Sequence, residues 1–270
     1  MLSEPPKAFV AAVLKTTRSD ALRGRIRLLA LGVCSLWVLA VGAVAAIDSN
    51  ALWTIVHGPC TFNETHFKSP APCARINLKD GEAGGWAVLK DIVGRTQFLL
   101  IPTRRLSGME DPLLGGDELP NYWIPAWATR KLVAANAKKA LARDEIAMAI
   151  NGAGARSQNQ LHIHVDCVRP AVRDELRKRA SEIGTDWADF RMLGQNYRAR
   201  RIDGEEPQPD PFRLLAEDKR SLPLRDDSLA VIGASFADGA PGFIAIAQQA
   251  PGGATHLEDL QDHFCKVADE

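Results

Sequence analysis

The apolar residues of this chain fall into three patterns. Residues 28–47 are apolar almost without interruption, and residues 122–143 and 171–187 repeat apolar positions at helical spacing. Shorter apolar runs typical of strands occupy residues 86–89, 97–101, 146–150, 228–233 and 242–247. Short turns separate several of these runs, which indicates hairpins. The patterns predict an α+β fold with antiparallel strands and packed helices, and they disfavour a doubly wound parallel sheet.

Local signals add detail to the predicted helices. Trp123 and Trp127 lie four residues apart, so they predict a buried stripe on the helix over residues 122–143. Residues 51–56 predict a short helix after the long apolar segment. Thr255 and Glu258 have the spacing of a capping box and predict the start of a last helix.

The segment 28–47 has the properties of a membrane-spanning helix. Its 20 residues contain Ser35 as the one markedly polar position, and at about 1.5 Å per residue they span a hydrocarbon layer of roughly 30 Å. Residues 1–27 contain six basic and two acidic residues. This asymmetry predicts a cytoplasmic N-terminus and an exported remainder.

The expected organisation is a basic N-terminus (1–27), a transmembrane anchor (28–47) and one exported domain (48–270). A cleavable signal peptide is the alternative, because residues 43–45 have the small-residue pattern of a cleavage site. The apolar segment is longer than the usual core of a signal peptide, which favours an uncleaved anchor.

Cysteine usage agrees with export. Four cysteines follow the apolar segment: Cys60, Cys73, Cys167 and Cys265. An even number in an oxidising compartment predicts two disulfides, although the sequence leaves all three pairings open. The chain has no net charge, since 33 basic residues balance 33 acidic ones. This balance argues against a nucleic-acid-binding protein.

The stretch most indicative of chemistry is residues 151–167. His162 and His164 alternate with apolar residues, and in a strand Gln160, His162 and His164 project from the same face. Burying each polar side chain without a partner would cost roughly 1–3 kcal/mol. A functional site is therefore the better interpretation than an ordinary core strand.

Three interpretations of the two histidines remain open. They are a pair of satisfied or half-exposed residues, two ligands of a metal ion, or a site in which one histidine attacks phosphorus. A zinc site needs a third protein ligand, and we expect Asp166 on the other face of the strand. The remaining histidines lie far away in sequence without a recognisable ligand spacing.

The same stretch resembles the histidine-triad (HIT) motif, in which histidines alternate with apolar residues after a glycine-rich turn. The matching positions are Asn151, Ser157, Gln160, His162 and His164. Gln160 is a departure, since the family usually has histidine there. More of the chain resembles the membrane-anchored CDP-diacylglycerol pyrophosphatases, an HIT-like branch, in the blocks 52–60, 70–73, 85–91, 97–103, 167–170 and 262–265.

This resemblance implies a function and roles for the site residues. The expected reaction is hydrolysis of CDP-diacylglycerol by water to CMP and phosphatidate, at the periplasmic side of a bacterial inner membrane. His162 would attack the phosphorus next to the nucleoside, and His164 would protonate the leaving phosphate or orient the substrate. Asn151, Ser157, Gln160 and the N–H groups of the glycine turn would bind phosphate oxygens. The scheme needs no metal or other cofactor.

Two alternatives belong to other classes of protein. One is a metal-dependent phosphohydrolase of other nucleoside diphosphate compounds, with His162 and His164 as metal ligands. The other is a non-catalytic, membrane-anchored protein that binds nucleotide lipids. Gln160 makes the second conceivable, because an amide donates a hydrogen bond but carries no charge.

Overall fold

The computed structural model describes residues 48–270 except Leu222 and Asp238. The predicted basic N-terminus and the segment 28–47 lie outside these residues. Of the helices in the described part of the chain, none has the length and apolar character needed to cross a membrane. Residues Ser49–Glu270 form one compact unit.

In the described residues, nine strands form one antiparallel sheet in the order β1-β2-β3-β5-β4-β8-β9-β7-β6. The strands are β1 Arg75–Asn77, β2 Trp86–Lys90, β3 Phe98–Pro102, β4 Ile146–Ile150, β5 Ile163–Cys167, β6 Ala188–Met192, β7 Gln195–Asp203, β8 Asp227–Ser235 and β9 Pro241–Gln249. The predicted hairpins are β2–β3 and β8–β9. The α+β fold and the antiparallel sheet are thus confirmed.

The helices are shorter than the apolar periodicity predicts. They are α1 Ala51–Ile55, α2 Thr61–Phe67, α3 Gly81–Gly84, α4 Trp123–Ala137, α5 Pro170–Arg179 and α6 Pro211–Ala216. A π-helical turn, Val56–Cys60, joins α1 to α2. Helix α4 ends where Lys138 adopts a left-handed conformation with φ 57°, a common C-terminal signal. Trp123 and Trp127 are buried, as the stripe predicts.

The two faces of β5 have different neighbours. Ile163 and Val165 are buried in the main core, which includes α4 packed on β3, β4 and β5. His164 pairs with Leu99 of β3, and residues paired directly share a face. Leu99 belongs to the second core, beneath α1. The segment after β9 lies against β4. The face that carries the histidines is therefore bordered by α1 on one side and the C-terminal segment on the other.

Disulfides fix both borders. Cys60 pairs with Cys73, and Cys167 pairs with Cys265. This is one of the three pairings that the sequence leaves open. The loops span 13 and 98 residues, and chain entropy gives such crosslinks about 3 and about 4.7 kcal/mol of stabilisation. The second disulfide ties the end of β5 to the C-terminal segment.

Candidate active site

His162 lies immediately before β5 and is 8% exposed. Its Nδ1 is 2.7 Å from the carbonyl oxygen of Gln160. Because a carbonyl only accepts, Nδ1 carries the hydrogen and Nε2 keeps the lone pair. Burial lowers the pKa of His162 to about 3, and the neighbouring His164 adds to this effect. At neutral pH the ring is therefore uncharged, with a nucleophilic nitrogen.

His164 stands beside His162, with the ring centroids 4.8 Å apart. Its Nδ1 is 2.6 Å from Nε2 of Gln97 and 3.2 Å from Oε1 of Glu258. The Gln97 amide also donates to Glu258 at 2.8 Å, which fixes the atom facing both partners as its nitrogen. In the neutral ring Nδ1 accepts from Gln97, so the hydrogen is on Nε2.

The Nε2 atom of His164 is buried and has no hydrogen-bond partner among the described residues. In the charged ring both nitrogens carry hydrogens, and Glu258 can accept the one on Nδ1. Nε2 of His164 is consequently a donor in either state. One nitrogen of each histidine is thus left for a substrate, as a lone pair on His162 and as an N–H on His164.

Glu258 is not part of a capping box, and the prediction of a last helix from Thr255 and Glu258 is wrong. Thr255 Oγ1 donates to the carbonyl of Gln248 at 3.3 Å, and Glu258 lies in a short 3-10 turn, Leu257–Leu260. Burial opposes the charge on Glu258, but His164 and the amides of Gln97 and Asn151 outweigh it and lower its pKa below the ordinary value. A carboxylate therefore stands beside His164.

Asp166 lies on the face of the histidines, so its expected placement on the other face is wrong. The reason is the period of a strand: residues 162, 164 and 166 share a face. Oδ2 of Asp166 is 2.9 Å from Nδ1 of His263, and Thr96 donates to Oδ1 at 2.5 Å. The bond to Asp166 raises the pKa of His263.

His263 continues the network to Glu258, with 3.5 Å between its Nε2 and Oε1 of Glu258. A chain of imidazoles and carboxylates thus runs from His164 through Glu258 and His263 to Asp166. Within the described residues, no group of three or more His, Cys, Asp or Glu side chains has an arrangement that could hold a metal ion. The acids of this network pair with imidazoles, which places their charge around His164.

Two other predicted site residues, Asn151 and Ser157, lie on the segment between β4 and β5. Asn151 donates to Oε2 of Glu258 at 2.9 Å and accepts from the Glu258 N–H at 3.1 Å. Its amide therefore holds Glu258 in position, which is a different task from the predicted phosphate contact. Ser157 is exposed on the loop before β5, and its phosphate contact stays a prediction.

Gln160 is fully buried, and its amide is used by the backbone. Its Nε2 donates to the carbonyls of Pro102 and Arg104 at 3.0 and 2.9 Å, and its Oε1 accepts from the N–H of Leu106 at 3.4 Å. Both amide hydrogens are therefore occupied. This geometry does not fit the predicted phosphate contact, because Gln160 instead ties the loop after β3 to the base of the histidine strand.

The glycine turn binds protein backbone instead of offering its N–H groups to phosphate. Gly152 N donates to the carbonyl of Thr255, and Gly154 N donates to that of Gly253, both at 3.1 Å. A Cβ on Gly152 would lie 2.3 Å from the Gly253 oxygen. The glycines permit close approach of the C-terminal segment, which is what brings Glu258 to His164.

Comparison with known proteins decides the family. The family model of CDP-diacylglycerol pyrophosphatase matches residues 47–269. A CDP-diacylglycerol pyrophosphatase of Yersinia pestis is 34% identical over 259 residues, which cover 92% of this chain and 97% of that protein. The chain belongs to the CDP-diacylglycerol pyrophosphatase family. The resemblance to the CDP-diacylglycerol pyrophosphatases is confirmed, and with it the assignment as a hydrolase that acts on CDP-diacylglycerol.

Sequence reasoning missed three groups in this member of the pyrophosphatase family. Glu258 and His263 lie far from the histidine stretch in the sequence. Glu258 is 107 residues from its partner Asn151, and His263 is 97 residues from its partner Asp166, so only the fold brings them to the site. The block 262–265 is the one signal that pointed to His263. Arg156 is the third: it pairs with Glu110, with 2.5 Å between Nη1 and Oε2, and its charge helps to keep His162 neutral.

Proposed function

We propose that hydrolysis of CDP-diacylglycerol proceeds through a nucleotidyl-histidine on His162. Nε2 forms a bond to the phosphorus next to the nucleoside while the anhydride P–O bond breaks, and the electron pair leaves with phosphatidate. Water then attacks the same phosphorus, releases CMP and restores the free imidazole. The observation that carries the proposal is the hydrogen bond from His162 Nδ1 to the Gln160 carbonyl, which leaves the lone pair on Nε2 of a buried, uncharged ring.

His164 supplies the proton that the leaving phosphatidate oxygen needs. It does so as the imidazolium, in which Nδ1 donates to Glu258 and Nε2 gives up its proton, and the attacking water returns a proton to Nε2 in the second step. The same N–H stabilises negative charge on the phosphoryl oxygens as the anhydride opens. Glu258 is a positioning residue: it fixes the ring of His164 and provides the charge that compensates the imidazolium.

The His162→Ala variant tests this mechanism. We expect no turnover, and in the wild-type protein we expect an acid-labile label on His162 after rapid quenching with a nucleotide-labelled substrate. His66→Ala is the matched control, since His66 is an exposed histidine on α2 and should keep full activity. Full activity of His162→Ala would overturn the mechanism.

We further propose that the chain is anchored in a bacterial inner membrane by an uncleaved helix over residues 28–47, with the catalytic domain in the periplasm. The apolar segment and its basic flank support this orientation, and two disulfides in the residues beyond it fit an oxidising compartment. Amino-terminal sequencing of protein purified from membranes tests the anchor. A chain that begins near residue 46 would instead show a cleaved signal peptide.

A further inference from the structure

Two segments that hydrogen-bond to each other at one end of the site each expose large apolar side chains. Ile92 is 99% exposed and Val93 52%, in the turn between β2 and β3, and Phe264 is 72% exposed in the C-terminal segment. We call these three residues the apolar tip. Isolated exposed apolar residues are ordinary, but a group held on adjoining segments marks a surface that meets an apolar partner.

The turn and the C-terminal segment are held together by the backbone. Arg95 N donates to the carbonyl of His263 at 2.9 Å, and Nη2 of Arg95 donates to that of Phe264 at 3.0 Å. Gly94 lies so close that an added Cβ would be 2.5 Å from Cβ of His263. The turn and the C-terminal segment therefore form one joined surface that carries the apolar tip.

The apolar tip adjoins the network that serves the reaction. Phe264 follows His263, which binds Asp166 and approaches Glu258. From His162 to Asp166 the strand advances about 13 Å at 3.3 Å per residue. His164 lies between these two positions, so the proton donor to the leaving group stands on the side of His162 that faces the apolar tip.

We propose that the apolar tip rests on the bilayer and directs the diacylglycerol end of the substrate into the site, an inference that builds on the proposed roles of His162 and His164. The leaving group is the lipid half of the substrate, and its proton donor lies toward the tip. The segments around the tip carry four exposed cations, Arg95, Lys138, Lys139 and Lys266, against the exposed acids Asp269 and Glu270, of which Glu270 pairs with Arg173. The half-buried Asp91 and Asp262 accept from backbone N–H groups of their own turns. Asn136 Nδ2 donates to the carbonyl of Arg95, and Lys139 Nζ donates to that of Val267, so hydrogen bonds join these segments. Such a rim fits an anionic lipid surface.

The test compares two substrates with the full-length protein. CDP-diacylglycerol is presented in vesicles of phosphatidylcholine and phosphatidylglycerol, and a water-soluble CDP compound serves as the second substrate. For Ile92→Ser combined with Val93→Ser we expect kcat/KM on vesicles to fall about tenfold or more, the effect of losing burial of large apolar side chains. The rate on the soluble compound should stay unchanged.

Leu193→Ser is the matched control, because Leu193 is 53% exposed in the turn between the edge strand β6 and its neighbour β7. It should change neither rate. If the double variant keeps the wild-type rate on vesicles, the proposed bilayer contact of the apolar tip is wrong. If the wild-type protein hydrolyses neither substrate, the proposed reaction itself is wrong. An equal fall in kcat/KM on both substrates also contradicts the bilayer contact, because it would show that Ile92 and Val93 support the fold or the active site.

A second measurement does not depend on turnover. Ile92→Trp places a fluorophore at the apolar tip, and Leu193→Trp places one at the control turn. Brominated acyl chains should quench the first variant more than the second, relative to the wild-type protein in the same vesicles. Equal quenching overturns the proposal, as does tip-dependent self-association without lipid, which would make a second copy the partner.

Discussion

At the scale of single residues, the site depends on which ring nitrogen carries the hydrogen. The Gln160 carbonyl sets this for His162, and Gln97 sets it for His164. A His-x-His pattern reveals neither partner. The acceptor for His162 is a backbone carbonyl, and the donor to His164, Gln97, lies 67 residues from it in the sequence. The sequence predicts where the histidines project, but only the fold determines that one ring offers a lone pair and the other an N–H.

Glu258→Gln should lower kcat more than it changes KM. The amide keeps the shape of the side chain but removes the charge, and it places a donor against the donors of Gln97 and Asn151. We expect kcat to fall about tenfold or more, since a well-placed acid contributes roughly 10²–10⁴ to the rate. Glu118→Gln, at an exposed position, is the control, and an equal kcat in the two variants would contradict the role of Glu258.

His263→Gln should change the stability of the protein in a pH-dependent way. Asp166 raises the pKa of His263, so the folded state binds the proton more tightly than the unfolded state. This stabilisation is complete below about pH 6.5, the ordinary histidine value, and is lost as the pH rises through the raised pKa. Urea unfolding at pH values on both sides of this range should show a larger gap between wild type and variant in acid, and a constant gap would refute the linkage.

At the scale of elements, the apolar pattern predicts strands correctly where the strands are buried in the core. The strands β4, β8 and β9 follow continuous apolar runs, and β4 begins and ends at the predicted residues. The prediction extends helix α4 to residue 143, although Lys138 ends the helix at Ala137, because the pattern does not encode a left-handed residue. The capping-box spacing at Thr255 misleads for a related reason: Glu258 forms stronger bonds across the fold than to its own backbone.

Gly152→Ala should loosen the contact between the glycine turn and the C-terminal segment. The new Cβ would lie 2.3 Å from the Gly253 oxygen, a backbone atom that cannot rotate away, so one segment must shift. We expect a loss of about 1–3 kcal/mol of stability, as for other overpacked contacts, with a matching drop in activity as Glu258 moves. Gly184→Ala is the control, since a Cβ there meets no atom within 4 Å. Equal melting temperatures for the two variants would exclude this packing role.

At the scale of the whole molecule, the proposed anchor changes how the substrate is found. A domain tethered to the bilayer searches in two dimensions, which raises the effective concentration of a lipid substrate. We expect a chain that begins at Asp48 to keep its rate on a water-soluble CDP compound and to lose rate on CDP-diacylglycerol in vesicles. If this shortened chain handles both substrates as well as the full-length protein, the apolar segment contributes location alone.

The contact between the glycine turn and the C-terminal segment also means that the site is completed only after the C-terminal segment has arrived. In the proposed orientation the N-terminus stays in the cytoplasm and the residues after the anchor cross the membrane in sequence order, so β5 and both histidines would reach the periplasm before Glu258, His263 and Cys265. Glu258, which stands beside His164, and Cys265, the second half of the Cys167–Cys265 disulfide, would therefore leave the translocation channel after both histidines. On the proposed mechanism, a chain that stops before Glu258 carries both histidines but lacks the carboxylate beside His164, so we expect it to be inactive toward the lipids around it.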